Sequence, residues 1–507
     1  LSRQRFLNFA SLFILKHKEM NKVMIFIVLL LAIQMNAQNV GIGTTTPAEK
    51  LDVSGNIRTT GEIKPNGVAG QANQVLTSNG NGTMSWASMS QNNEEETTGN
   101  GTWGDCNTNN LTGYQPVADE NGQALDQYGH SVSISGNYAV IGALLDDELG
   151  LTNCGSATIM KHNSSNGLWE FHSKLTNQNA NNTDYFGASV AISGDLLVVG
   201  AYFDDISGLT DIGSASIYKR NTNTDVWEFQ TKLVNSNPEA GDWFGFSVAI
   251  SGDYVIVGAP NDDEAGFLNT GSATIYKLNP NTNGWQFQGK LTNNLAAIGD
   301  QFGWSVGITE DYAIIGAKRD SEGGFTNNGS ASIFQRNTST GVWGFQTKLI
   351  HSAPANTDEF GNSVTISGNY AVVGTRLDDH NGLTNSGSAA VFRRNANTGV
   401  WEFRTLLINK NPESDDDFGS SVSISGDYVM VGSETDDENG LSNNGSVSVY
   451  KTFGNTLLAI QKFSNPNALG SERFGKSVSI DAENRRFLTG ASEVNGNMGM
   501  AFFGKIK

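Results

Sequence analysis

Residues Asp242 to Leu291 read DWFGFSVAISGDYVIVGAPNDDEAGFLNTGSATIYKLNPNTNGWQFQGKL, and this unit returns along the chain every 58 residues. Its opening phrase, Asp-x-aromatic-Gly, stands at Asp126–Gly129, Asp184–Gly187, Asp242–Gly245, Asp300–Gly303, Asp358–Gly361 and Asp416–Gly419. Glu472 heads a seventh copy that ends at Gly475. A second marker, Gly-Ser-Ala, keeps step at Gly155, Gly213, Gly271, Gly329 and Gly387, then becomes Gly-Ser-Val at Gly445 and Gly-Met-Ala at Gly499. A fixed period of this length is the signature of propellers and solenoids.

Within the unit, Phe246, Val248 and Ile250 alternate with Ser247, Ala249 and Ser251, a period of two that predicts a strand. Gly252-Asp253 then suits a type II′ hairpin, because glycine accepts a positive φ at the first turn position. Equivalent pairs are Gly136-Asn137, Gly194-Asp195, Gly368-Asn369 and Gly426-Asp427, whereas the fourth copy has Glu310-Asp311. Tyr254 to Ala259 is an apolar run fit for a strand covered on both faces. After the acidic loop Pro260–Thr270, two more strands are predicted at Gly271–Lys277 and Trp285–Leu291. No segment of the unit has a helical period. A lone four-stranded sheet cannot bury both faces, but seven packed around an axis bury one another. The fold class is therefore all-β: a seven-bladed β-propeller over residues 103–507. Trp169, Trp227, Trp285, Trp343 and Trp401, with Phe171, Phe229, Phe287, Phe345 and Phe403, are expected to form the core between blades.

Phe244-Gly245 followed by Gly258-Ala259-Pro260 resembles the FG-GAP repeat of integrin α-subunit propellers and their bacterial relatives. Only this copy keeps the whole Gly-Ala-Pro; others read Gly-Ala-Leu, Gly-Ala-Tyr, Gly-Ala-Lys, Gly-Thr-Arg or Gly-Ser-Glu. The integrin pattern implies a calcium loop in the hairpin between Phe-Gly and Gly-Ala-Pro. Here that hairpin is a two-residue turn, with too few oxygens for an ion that takes six to eight ligands. The integrin-type calcium site is not carried over.

The seventh copy ends without a fourth strand. Leu111 to Val117 aligns without gaps to Trp343 to Leu349, so this early segment is expected to complete the last blade and close the ring. Pro116 is tolerable on an outermost strand, which needs no outward donor. In the sixth copy the chain is two residues short and Leu457 takes the tryptophan position.

The chain opens with Leu1, and residues 1–19 read as translation upstream of a start at Met20. Residues 20–37 have the pattern of a secretory signal: Lys22, the apolar run Val23 to Ile33, then Gln34 to Ala37. Eleven apolar residues are too few to span a bilayer, and no later segment is apolar enough. The expected location is outside the cell or on its surface. Residues 38–90, with Val40 to Pro47, Lys50 to Ile57 and Gln74 to Gly80, resemble the shaft segments of phage tail-fibre-like and bacterial surface proteins. That resemblance implies a short β-rich stalk; with too little apolar content to fold alone, the segment either forms a homotrimer or stays extended. Residues 91–102, with Glu94-Glu95-Glu96, read as a linker.

A net charge of −19 and a pI near 4.7 argue against nucleic acid or an anionic membrane as partner. The two cysteines, Cys106 and Cys154, have no metal or redox spacing. In an oxidising compartment they could pair if their Cα atoms come within about 7 Å.

The loops between the second and third strands carry Asp146-Asp147, Asp204-Asp205, Asp262-Asp263, Asp320, Asp378-Asp379 and Asp436-Asp437. Converging on one face, they form the candidate binding rim for a protein or glycan. Two readings stand side by side. The side chains bond their own backbone in Asx-turns, or Asp146, Asp204, Asp262, Asp378 and Asp436 ligate Ca²⁺. The recurrent Asp126, Asp184, Asp242, Asp300, Asp358 and Asp416 read as caps of the aromatic-Gly corner. A catalytic residue occurs once, whereas a fold-determining one recurs; by that test no catalytic candidate emerges. His380, which breaks the acidic loop of the fifth copy, is the one irregular ligand-type residue noted. The leading function is a non-enzymatic binding or adhesion protein. The alternatives are a carbohydrate-active enzyme with its site in the funnel, favoured by a unique acid or histidine there, and a passive extracellular spacer.

Overall fold

The computed structural model describes residues 40–42, 51–53, 74–78, 84–88, 114–453, 456–465 and 467–506. The chain divides into two compact units, Leu1–Gln91 and Asn92–Lys507. In the first, Val40–Ile42 pairs in parallel with Leu51–Val53, and Gln74–Ser78 pairs antiparallel with Met84–Ser88. The expected leader, the linker and Cys106 lie outside the described residues. Among the described residues, no helix is long and apolar enough to cross a membrane.

The second unit is a seven-bladed β-propeller, each blade a four-stranded antiparallel sheet. Blade 3 shows the plan: Ser247–Ser251, Tyr254–Ala259, Ser272–Asn279 and Gly284–Thr292, in that order from axis to rim. The Gly252-Asp253 turn follows the prediction, with φ of +53° at Gly252 and a negative φ at Asp253. The second strand is buried throughout in blade 3, as its unbroken apolar run requires. The last blade takes Phe474–Asp481, Arg486–Ala491 and Met500–Lys505 from the end of the chain and Gln115–Val117 from its beginning. Phe502 faces Pro116 across that final pairing, and the Tyr114 ring packs 5.8 Å from Phe502. Residues 111–113 of the expected closing segment lie outside the described residues. In blade 6, Leu457 is buried where its neighbours carry tryptophan.

Both sequence markers prove to be contacts between blades. The Gly-Ser-Ala glycine of one blade bridges the aromatic residue of the next, as Gly213 does with Phe244 and Gly271 with Phe302; Gly499 with Tyr128 closes the circle. A serine of each first strand donates its hydroxyl to the Phe-Gly glycine carbonyl of the following blade. The series runs from Ser131 to Gly187 through Ser189 to Gly245, and ends with Ser477 to Gly129, all at 2.7–2.8 Å. A hydrogen bond typically contributes about 1 kcal/mol. The series ties each joint at one chemical position.

The apolar core lies between sheets. Ile256 and Ile275 of blade 3 pack with Val306, Ile308, Ile315 and Phe334 of blade 4, and Trp343 seals the outer edge. The expected aromatic pairing needs one correction. Trp169, Trp227, Trp343 and Trp401 are buried and Trp285 half-buried, but the phenylalanines two residues on are exposed, from 36% at Phe229 to 53% at Phe171. The third and fourth strands shift register by a bulge, between Ile217 and Tyr218 in blade 2. The phenylalanine lies over a ring of the third strand, Phe229 edge-on to Tyr218 at 5.7 Å, and is left exposed where Trp227 is covered.

The recurrent aspartates cap the blade-to-blade corner as expected. Asp242 accepts the Glu239 backbone N–H at 2.8 Å and the Asn235 amide at 3.1 Å. Burial pushes the carboxyls of Asp126, Asp184, Asp242 and Asp300 up to about 6 and that of Asp416 to about 7.

Candidate functional site

The acidic loops split into two chemically different halves. The first aspartate of each pair is buried beneath the loop and meets a lysine from the outermost strand. Lys174–Asp146, Lys232–Asp204, Lys290–Asp262, Lys348–Asp320 and Lys462–Asp436 stand 2.5–2.8 Å apart. At Asp146, Asp204, Asp262 and Asp436 the oxygen that a calcium ion would need already faces an ammonium group and a serine hydroxyl. Asp378 is the exception, because Leu406 stands where the lysine would be. The second aspartates, Asp147, Asp205, Asp263, Asp379 and Asp437, each accept the backbone N–H six residues on, at 2.7–2.9 Å. These carboxylates bond their own loop, as the first reading has it, but across six residues and not in the two-residue Asx-turn. Cys154 is a buried free thiol beneath the loop of blade 1, with its Sγ 3.4 Å from the Glu148 carbonyl.

Inward of these loops, at the axial mouth of the same face, the repeat stops repeating. Three positions in each blade lie at the start of the first strand or just past the end of the second: the x of Asp-x-aromatic-Gly, the residue after that Gly, and the residue after Gly-Ala. Their neighbours are near-invariant from blade to blade, but these positions are not. Blades 2 to 4 place aromatic rings there. Tyr202 lies 5.7 Å from Trp243 and 5.2 Å from Phe246, and Phe246 lies 4.4 Å from Trp304. These four rings are half-buried and pack on one another, with part of each exposed. Blades 4 to 7 place charges there. Lys318 sits 3.3 Å from the Trp304 ring centre and 3.8 Å from Glu359. Arg376 joins Glu359 at 3.0 Å and Asp417 at 3.7 Å. Glu434 meets Lys476 at 3.0 Å and Arg473 at 3.5 Å. The contacts trace an arc from blade 2 to blade 7, half aromatic and half ionic.

Electrostatics follow from enclosure. Burial draws the Lys318 ammonium down to about 8 and lifts the Asp417 carboxyl to about 6. Burial alone would raise Glu434 too, but Lys476, Arg473 and Arg376 outweigh it and hold the carboxyl below its ordinary value. Buried His130 is drawn down to about 3 by desolvation and by Lys476. The opposite charges of this network pair with one another.

The backbone adds a second mark. The x residue has a positive φ in all seven blades, from 54° to 61°, and among them are Tyr185, Trp243, Glu359 and Arg473. Bulky residues avoid this region, so the corner imposes the conformation and the side chains are held there despite it. Because all seven blades share it, the conformation belongs to the corner of the fold, and only the side chains it carries differ from blade to blade. Sequence reasoning weighed the recurrent residues and passed over these. The usable signal was the inverse one: positions that vary inside a strict repeat.

No curated protein sequence shows significant similarity to the chain. Among solved structures, that of U3-55K aligns over 77% of this chain and 98% of its own length, with a TM-score of 0.45 at 10% sequence identity. The FG-GAP repeat family model matches residues 116–159, 169–218, 227–276, 285–334, 343–392 and 401–450. These segments make up more than half of the chain, which therefore belongs to the FG-GAP repeat family of β-propellers.

Proposed function

We propose that the protein is an exported, non-enzymatic binding or adhesion protein that recognises a glycan at the axial mouth of its loop face. The observation carrying this reading is the run of half-buried rings, Tyr202, Trp243, Phe246 and Trp304, on a scaffold that otherwise repeats. Partly exposed aromatic rings are suited to stacking on sugar rings, and tryptophan and tyrosine dominate binding hot spots. The stalk-like segment supports display of the head away from the surface, and a homotrimer would add avidity.

The full chain, labelled and applied to a glycan array and to a protein array, tests the reading. A glycan hit should weaken about fivefold or more in Trp243→Ala and in Trp304→Ala, since one hot-spot truncation costs more than about 1 kcal/mol. Phe171→Ala, on the outer rim, should leave it unchanged. A protein ligand with no glycan hit, or equal binding by all three variants, would overturn the assignment.

A further inference from the structure

In blades 2, 3, 4 and 6 the corner beneath the acidic loop is built alike. An asparagine (Asn177, Asn235, Asn293, Asn409) donates to the capping aspartate at 2.9–3.1 Å. A second aspartate takes a lysine ammonium (Lys232, Lys290, Lys348, Lys462) and a serine hydroxyl. Blade 5 breaks this pattern twice at one spot. His351 replaces the asparagine and Leu406 replaces the lysine, while both aspartates, Asp358 and Asp378, remain. The corner has lost a cation and gained an imidazole.

The consequences are visible in the side chains. His351, Asp358 and Asp378 are 3%, 1% and 5% exposed. Their ligand-type atoms all lie within 4.8 Å of one another. The Nε2 of His351, the Oδ2 of Asp378 and the Ser388 hydroxyl have no hydrogen-bond partner. His351 Nδ1 is 2.9 Å from the Ala353 carbonyl oxygen, which can only accept, so Nδ1 carries a proton and the ring turns Nε2 inward. Nε2 faces the Asp378 Oδ2 at 3.6 Å. An N–H···O hydrogen bond spans about 2.7–3.2 Å, so the gap is long for a shared proton. Two donors each about 2.1 Å from a tetrahedral ion stand roughly 3.4 Å apart, which the gap fits. The imidazole also has its outer nitrogen fixed by a carbonyl, the usual support for a metal-binding histidine.

We propose that His351, Asp358 and Asp378 bind one divalent transition-metal cation of the Zn²⁺ class, which takes the place of the ammonium group the other blades use. One imidazole and two carboxylates make a borderline N/O donor set, suited to zinc over calcium. Ser352, Ala353 and Ala355–Thr357 above the site are exposed, so the cation reaches it past a single loop.

The test uses the untagged full chain, stripped with chelator and dialysed. Zn²⁺ is titrated by calorimetry, and Co²⁺ by its visible absorption. The expected result is one Zn²⁺ per chain and cobalt bands of a nitrogen–oxygen site. The double variant His351→Asn/Leu406→Lys restores the arrangement of four sister blades, so it should fold, as circular dichroism will verify. It should bind Zn²⁺ on the order of 100-fold more weakly. No uptake by the wild type at micromolar free Zn²⁺, or equal uptake by the double variant, would overturn the site. So would nitrogen NMR showing both His351 ring nitrogens protonated and unmoved by Zn²⁺, which would make the corner an imidazolium–carboxylate pair.

Discussion

Replacing Gly245 by alanine should damage the propeller far more than replacing Gly252, seven residues on in the same blade. Both glycines have a positive φ, +92° and +53°. For an alanine this region costs about 1–2 kcal/mol. The surroundings separate them. A Cβ on Gly245 would sit 2.1 Å from the Ser214 carbonyl oxygen of the preceding blade, and 2.9 Å from its carbon. A Cβ on Gly252 would meet nothing within 4 Å. The atoms in the way at Gly245 are backbone, held by the Gly213–Phe244 bridge and by the Ser189 hydroxyl bonded to the Gly245 carbonyl. Relief therefore requires blades 2 and 3 to part, and overpacking of this kind adds typically 1–3 kcal/mol. Gly245→Ala should cost about 2–5 kcal/mol in all, and Gly252→Ala about 1–2 kcal/mol. Thermal melts of the two variants beside the parent give the comparison, with the fall in Tm at least twice as large for Gly245→Ala. Equal shifts would mean that Phe-Gly is retained for its turn conformation and not for the approach of one blade to the next.

The capping aspartates make stability depend on pH in an unusual direction. Carboxyls lifted to about 6 at Asp126, Asp184, Asp242 and Asp300 titrate near 3.9 once unfolded. The native state thus holds protons that the unfolded chain has released, and these groups favour folding below pH 4 and lose that contribution as pH rises through 6. The Tm should rise as pH falls from 7.5 to 5; a Tm highest at 7.5 would refute the raised values. The opposing Asp225, whose carboxyl Lys161, Tyr138 and Arg220 hold below its ordinary value against the pull of burial, acts only in stronger acid. A chain beginning at Ala118 should lose the strand that pairs with Ala501–Phe503, exposing a sheet edge. It should aggregate or melt well below the parent, and an unchanged melt with a monomeric profile in gel filtration would show that the ring does not need its closing strand.

Much of the architecture was legible because each unit states it again. The two-residue turn at Gly252-Asp253, the buried run Tyr254–Ala259 and the missing fourth strand of the last blade are local or counting arguments, and repetition removes the ambiguity of any single copy. The aromatic pairing at Trp227 and Phe229 failed for a physical reason. Alternation puts both rings on one face of the strand, but how far the neighbouring sheet reaches along that face is a tertiary matter: it covers Trp227 and leaves Phe229 36% exposed. The loop acids failed differently. Asp262 and Asp263 are adjacent and identical in type, yet one lies under a lysine from 28 residues away and the other binds its own loop.

The amino-acid order alone determined the number of blades, the strands within each and the segment that closes the circle, because turn chemistry and hydrophobic period act between near neighbours. Only the folded ring decided which residues meet. Tyr202, Trp243, Phe246 and Trp304 are spread over a hundred positions and become one surface at the axis. His351 and Asp378 become partners because one sheet packs on the next. Long-range contacts of that kind depend on how the blades are placed around the axis, and no local pattern encodes it.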